Sequence, residues 1–140
     1  MKKHELSYGF SPEDTEEEIR QKYGDEAAQL FIEQRRKTAH WTQKKWDDFN
    51  ARYEKLAQKF AYARDKGLKP ESKEVQKLVK EHHSLLSDLF HPSKLFCDVL
   101  ANLYLNHPQF RKFFKSFHED LPEFIVEAMN IYADAGANIG

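Results

Sequence analysis

The sequence predicts an all-α fold, on three observations. Apolar residues recur at spacings of three and four through most of the chain, the period of a helix face. No segment alternates apolar and polar residues with the period of two that a half-buried strand requires. The five prolines sit at the ends of the periodic segments, where helices tolerate them. At 140 residues, 40% of them apolar, the chain is one domain long enough to bury a real core.

The elements follow in order. Ser11-Pro12-Glu13-Asp14 predicts a helix start, with Ser11 as cap, Pro12 in the first helical position and acids at the positive end. That helix ends near Tyr23, where Gly24 stops it. Asp25 caps a second segment, Glu26 to about Lys37. Ile19 and Tyr23 on the first, and Ala27, Leu30 and Phe31 on the second, make only thin apolar faces. This part is therefore the least able to stay rigid by itself. Thr42 caps a long helix ending near Lys66 before Gly67, with Trp46, Phe49, Tyr53, Leu56, Phe60 and Ala63 inward. Ser72 caps the next, to about Phe90, with Val75, Leu78, Val79, His82, Leu85, Leu86 and Leu89 inward. His91-Pro92-Ser93 breaks it, and Ser93 starts a helix to Leu105. That helix is apolar on most of its girth, which predicts a central position. After Asn106-His107-Pro108, Phe110, Phe113, Phe114 and Phe117 form an aromatic stripe. Asp120 caps the last helix, whose inner face is Leu121, Phe124, Ile125, Ala128 and Tyr132. Six or seven helices result.

Composition excludes several function classes. Lys plus Arg is 22 and Asp plus Glu is 23, a net charge of −1, which argues against a direct nucleic-acid binder. No apolar run is long enough to span a membrane. One cysteine, Cys97, allows no internal disulfide and points to a reducing cytoplasm. The charge is unevenly spread. Residues 1–30 hold four basic and eight acidic side chains, residues 31–80 fourteen and seven. Arg35-Arg36-Lys37 and Lys44-Lys45 read as a solvated face, or as a docking surface for the acidic N-terminal helix or an anionic ligand.

Chemistry-bearing patterns are scarce. His82 and His83 are adjacent and project about 100° apart on a helix, so they do not readily share an ion. No metal site is expected, and no cofactor. His82 lies on the apolar face, as a satisfied core histidine does. Cys97 sits between Phe96 and Asp98 in an apolar helix. It reads as a small buried hydrophobe, or as a thiol lining a ligand cavity, and an acidic neighbour does not activate it. Nothing supports an enzyme. The unusual feature is the aromatic content, 14%, with 11 Phe, 6 Tyr and 2 Trp. Such rings usually pack a core, and their irregular angles also wall apolar cavities. Trp41, Trp46, Tyr104 and His82 are the polar-tipped groups suited to orient a ligand there.

Several segments together resemble the TipA-S drug-recognition domain, the ligand-binding half of thiopeptide-responsive regulators of the MerR family, which also occurs alone as an antibiotic-binding protein. The likeness spans about Thr15 to Ala133. Glu16-Glu17-Glu18 to Tyr23-Gly24-Asp25 is similar to the family's acidic helix ending in aromatic-Gly-Asp. Arg35-Arg36 and Trp46-Asp47 follow, the latter similar to an "EDW" helix start. Leu56-Ala57, Gly67, Pro70, Ser72, Val75-Gln76-Lys77-Leu78-Val79 and His82 resemble "LA…G…P.S..VQ.LV…H". Tyr104-Leu105-Asn106-His107-Pro108-Gln109-Phe110 resembles "MYV.DPRF", and Leu121 to Ala128 resembles "GLA.FL..AI". The departures are Phe90-His91-Pro92-Ser93 for aromatic-x-Cys-Ser, His107 and Gln109 for the acid and Arg of "DPRF", and Asp120 for a Gly.

The resemblance implies a globin-like helical fold with a hydrophobic ligand cleft. It implies a mobile N-terminal lid over residues 1–30 and a ligand-binding domain over 31–140. It implies a bulky hydrophobic antibiotic, thiopeptide or otherwise peptidic or polycyclic, bound by a drug sensor or a sequestering resistance protein. Trp41, Trp46, Phe49, Phe90, Phe96, Cys97 and Tyr104 would wall the cleft. His82 would hydrogen-bond the ligand, and Tyr23 and Arg35 would sit at the lid. Some family members trap dehydroalanine-containing thiopeptides through a cysteine; that position is lost, leaving Cys97 as the only thiol to stand in. The winged helix-turn-helix and coiled coil of the regulators are missing from these 140 residues, and a monomer or weak dimer is expected. Two alternatives compete: a haem- or tetrapyrrole-binding globin-like protein using His82 or His91, and an interaction module whose aromatic groove takes a partner helix.

Overall fold

The computed structural model describes residues 15–89 and 94–135, and of residues 94–96 the backbone alone. The described residues form seven helices and no strand: α1 (Glu16–Tyr23), α2 (Asp25–Lys37), α3 (Gln43–Asp65), α4 (Lys73–Leu86), α5 (Lys94–Asn106), α6 (Pro108–Lys115) and α7 (Leu121–Asp134). The all-α expectation therefore holds.

Local chemistry sets the helix ends. Thr15, not Ser11, caps α1: its hydroxyl accepts from the Glu18 amide while the Glu18 carboxylate accepts from the Thr15 amide, a reciprocal capping box. Ser11 and Pro12 lie outside the described residues. Gly24 separates α1 from α2 at φ +97°, a value L side chains rarely adopt. Asp25 is the first residue of α2 rather than its cap. Thr42 and Ser72 cap α3 and α4 as expected, through the amides of Lys45 and Val75. Helix α3 ends in a paired turn. The Leu68 amide donates to the Ala63 carbonyl and the Gly67 amide to that of Arg64, with Gly67 at φ +81°.

Two further expectations are corrected, at the end of α4 and at Asp120. Helix α4 ends at Leu86, four residues before Phe90, and Leu89 packs from the following turn, fully buried. His107 caps α6 through its ring, Nδ1 accepting from the Gln109 amide. The imidazole thus does what an aspartate does at such a position. Asp120 makes no capping hydrogen bond; its carboxylate reaches back to Arg64 at 3.0 Å and ties the α7 start to α3.

Packing puts α7 at the hub, against α3, α4, α5 and α6. Helix α5, expected to be central, packs against α2, α6 and α7. The α1–α2 hairpin leans on the body mainly through α2 and α5. Its thin apolar faces are nonetheless buried: Ile19 is 2% exposed, and Ala27 and Ala28 are fully covered. Small side chains let the two helices approach closely, so little apolar surface suffices. The acids of α1 do not reach the basic middle of the chain. Glu16, Glu17 and Asp25 instead converge on Arg20 of the same hairpin at 2.8, 3.4 and 2.9 Å.

Candidate functional site

The sequence-predicted residues divide into two groups that a third aromatic residue joins. At the start of α3, Trp41, Trp46 and Phe49 cluster edge to face. Ring centroids lie 4.7 Å apart for Trp41–Trp46, 5.5 Å for Trp41–Phe49 and 6.4 Å for Trp46–Phe49. A spacing of three on one helix brings Trp46 and Phe49 together, and the turn before Thr42 folds Trp41 onto them. Trp46 and Phe49 are buried, while Trp41 is half-buried. The Lys45 ammonium lies 5.1 Å over the Trp41 ring. A cavity of about 440 Å³ opens here, lined by Trp41, Phe49, Lys45, Asp48, Arg52 and Asp88 among others. That size suits a small-molecule site.

The second group lies deeper. His82 Nε2 and the Tyr104 hydroxyl are 2.7 Å apart, and Tyr104 shares a short hydrogen bond with the Tyr53 hydroxyl. On the other ring nitrogen, His82 Nδ1 faces His83 Nδ1 at 3.3 Å, and His83 Nε2 lies 2.9 Å from Cys97 Sγ. Five side chains from α3, α4 and α5 thus form one buried polar chain. Adjacency of His82 and His83 suggested divergent rings; their imidazoles instead turn together onto this chain. Among the described residues no group of His, Cys, Asp and Glu could hold a metal ion.

Burial sets the electrostatics. It pushes the Tyr53 and Tyr104 hydroxyls well above the ordinary phenol range, with the neighbouring tyrosine adding to the shift at Tyr53. It drives His82 well below the usual imidazole value, and neighbouring His83 adds to that. His83 falls to about 4, a hydrogen bond to the Val79 backbone partly opposing the loss of water. At neutral pH both imidazoles are neutral. The chain can donate and accept hydrogen bonds without carrying charge, which suits an apolar surrounding.

Tyr53 joins the groups. It stacks on Phe49 at 6.0 Å and on Phe113 at 5.3 Å, and its hydroxyl enters the polar chain. The sequence placed Tyr53 and His83 only as inner-face and adjacent residues. Their partners lie 51 and 14 positions away, on other helices, and no local spacing signals that. Of the expected walls, Trp41, Trp46 and Phe49 are brought together, and Tyr104 and Cys97 join His82 through the polar chain. Phe90 lies outside the described residues, as does the side chain of Phe96. At the expected lid, the Tyr23 ring packs 5.5 Å from His107, and the Arg35 guanidinium sits 4.8 Å over Phe31.

A helical domain with an aromatic pocket joined through Tyr53 to a neutral hydrogen-bonding core has the makings of a small-molecule binding domain. The comparison with known families agrees. The model of the TipAS antibiotic-recognition domain matches residues 15–132, and the chain belongs to that family. No curated protein and no solved structure matches the chain significantly. As a TipAS domain it belongs to the ligand-binding rather than the catalytic families. No helix among the described residues is long and apolar enough to cross a membrane.

Proposed function

We propose that this domain binds a bulky, mostly apolar antibiotic of peptide or polycyclic type against the Trp41–Phe49 cluster. The observation that carries the reading is the cavity there, with aromatic faces on one side and Lys45, Asp48, Arg52 and Asp88 around it. Trp41 supplies a half-buried ring, and Tyr53 ties the cavity to the buried hydroxyls. The closing element is the α1–α2 hairpin moving as one body. Helix α2 is continuous from Asp25 to Lys37, so the hinge falls between α2 and α3, at Thr38–Trp41. Tyr23 and Arg35 travel with the hairpin. The domain acts in the cytoplasm as a monomer or weak dimer, without catalysis or direct nucleic-acid contact. It serves either as the sensor of a regulator or as a sequestering protein that confers tolerance.

The haem alternative loses support at His82. Both its ring nitrogens already face partners, Tyr104 and His83, and His91 lies outside the described residues. Covalent capture by Cys97 also requires opening, because the thiol is 3% exposed and faces His83.

Calorimetric titration with a panel of thiopeptides and other hydrophobic peptide antibiotics tests the proposal. At least one member binds with a dissociation constant of about 1 μM or tighter, and W41A weakens it by about tenfold or more. A panel in which nothing binds at that level overturns the reading.

A further inference from the structure

A second cavity lies on the outer seam of α3 and α4 and shares no lining residue with the Trp41 pocket. Its volume is about 510 Å³, in the range of small-molecule sites. Ala63, Leu68 and Leu78 contribute its apolar lining, and Tyr62 stands beside them. Tyr62 is 65% exposed, the only large hydrophobic side chain so exposed among the described residues. Single exposed rings are ordinary on protein surfaces. A ring standing over an apolar concavity is a ready-made wall.

The charges in the lining are lopsided: Lys55, Lys59 and Lys66 against Glu74 alone. Lys59 shares Glu81 at 3.7 Å across the seam. The Lys66 ammonium lies 5.1 Å over the Tyr62 ring. Lys55 has no ion pair or hydrogen bond among the described residues. Two ammonium groups are thus uncommitted to any carboxylate, at the edge of an apolar pocket with a ring on one side.

We infer that this groove is a second ligand site, for an amphipathic anion. The occupant has one carboxylate or sulfonate head held by Lys55 and Lys66, and an aromatic or aliphatic body against Tyr62 and Leu78. A single negative head fits better than two, because Glu74 repels a second.

The probe is 8-anilinonaphthalene-1-sulfonate, with uncharged N-phenyl-1-naphthylamine as its comparison, titrated into the full chain and followed by amide NMR shifts. The sulfonate moves amides between Tyr62 and Leu78. The exposed double change K55E/K66E weakens the sulfonate by about tenfold while altering the neutral compound by less than about twofold. Tyr62→Ala weakens both compounds. W41A leaves this binding unchanged, so failure of the antibiotic reading at Trp41 leaves the groove's test intact. Shifts centred on Trp41–Arg52, or charge reversal without effect on the sulfonate, overturn the inference.

Discussion

The α1–α2 hairpin and the α3–α7 body are held together by different means. The body buries large rings against one another. Tyr104 lies 4.6 Å from Phe114 and 5.2 Å from Phe110, and Tyr53 is sandwiched by Phe49 and Phe113. The hairpin buries one large ring, Phe31, beside Ile19, Leu30 and two alanines, and spends its charge on an exposed network around Arg20. Exposed pairs of that kind contribute little. The body therefore carries the cooperative stability, and the hairpin is the portion most able to open without global unfolding.

The largest test of that contrast removes a body ring. Phe114→Ala should cost about 3–5 kcal/mol, because the residue is 2% exposed and its ring packs against Tyr53, Tyr104 and Phe113. Chemical denaturation should show it as a lower midpoint with an unchanged slope. A loss below about 1 kcal/mol would mean that the body is loosely packed.

Acid provides the next test. His82 and His83 titrate below their unfolded values. The unfolded chain therefore takes up protons first as pH falls. Their contribution is complete above about pH 6.5 and is lost progressively toward pH 4. His83 alone, at about 4 when folded, accounts for roughly 3 kcal/mol over that window. Stability measured from pH 7 to 4 should fall along this course, and His83→Gln should flatten it. A profile equally steep in the variant would assign the acid sensitivity elsewhere.

The smallest global effect belongs to the hairpin. Ile19→Ala should speed amide exchange throughout α1 and α2 while shifting the main melting transition by only about 2 °C. Equal loss of protection in α7 would show that hairpin and body unfold as one unit.

What was legible in the sequence follows the range of the interactions. Thr42, Ser72 and Gly67 act within a few residues of themselves, and they do in the fold what their spacing implied. Asp120 misled because a distant Arg64 competes for its carboxylate. The apolar period runs past the true end of α4, continuing to Leu89 although the helix stops at Leu86. The aromatic cluster was readable from the i, i+3 placing of Trp46 and Phe49. The polar chain was not, since it needs three helices in register. Its individual members look like core residues, and in burial they are.

That chain has a direction. Its four links join five side chains, each of a type that can carry one exchangeable proton. A neutral imidazole protonated on one nitrogen accepts on the other. Each imidazole thus couples the link on one side to the link on the other, and the hydrogen bond of His83 to the Val79 backbone biases which of its nitrogens holds the proton. Alkylating the Cys97 sulfur removes its S–H donor, so that His83 Nε2 can then only donate toward it. A chemical event on α5, once the fold has opened to expose the thiol, would in this way reach α3 behind the wall of the Trp41 pocket.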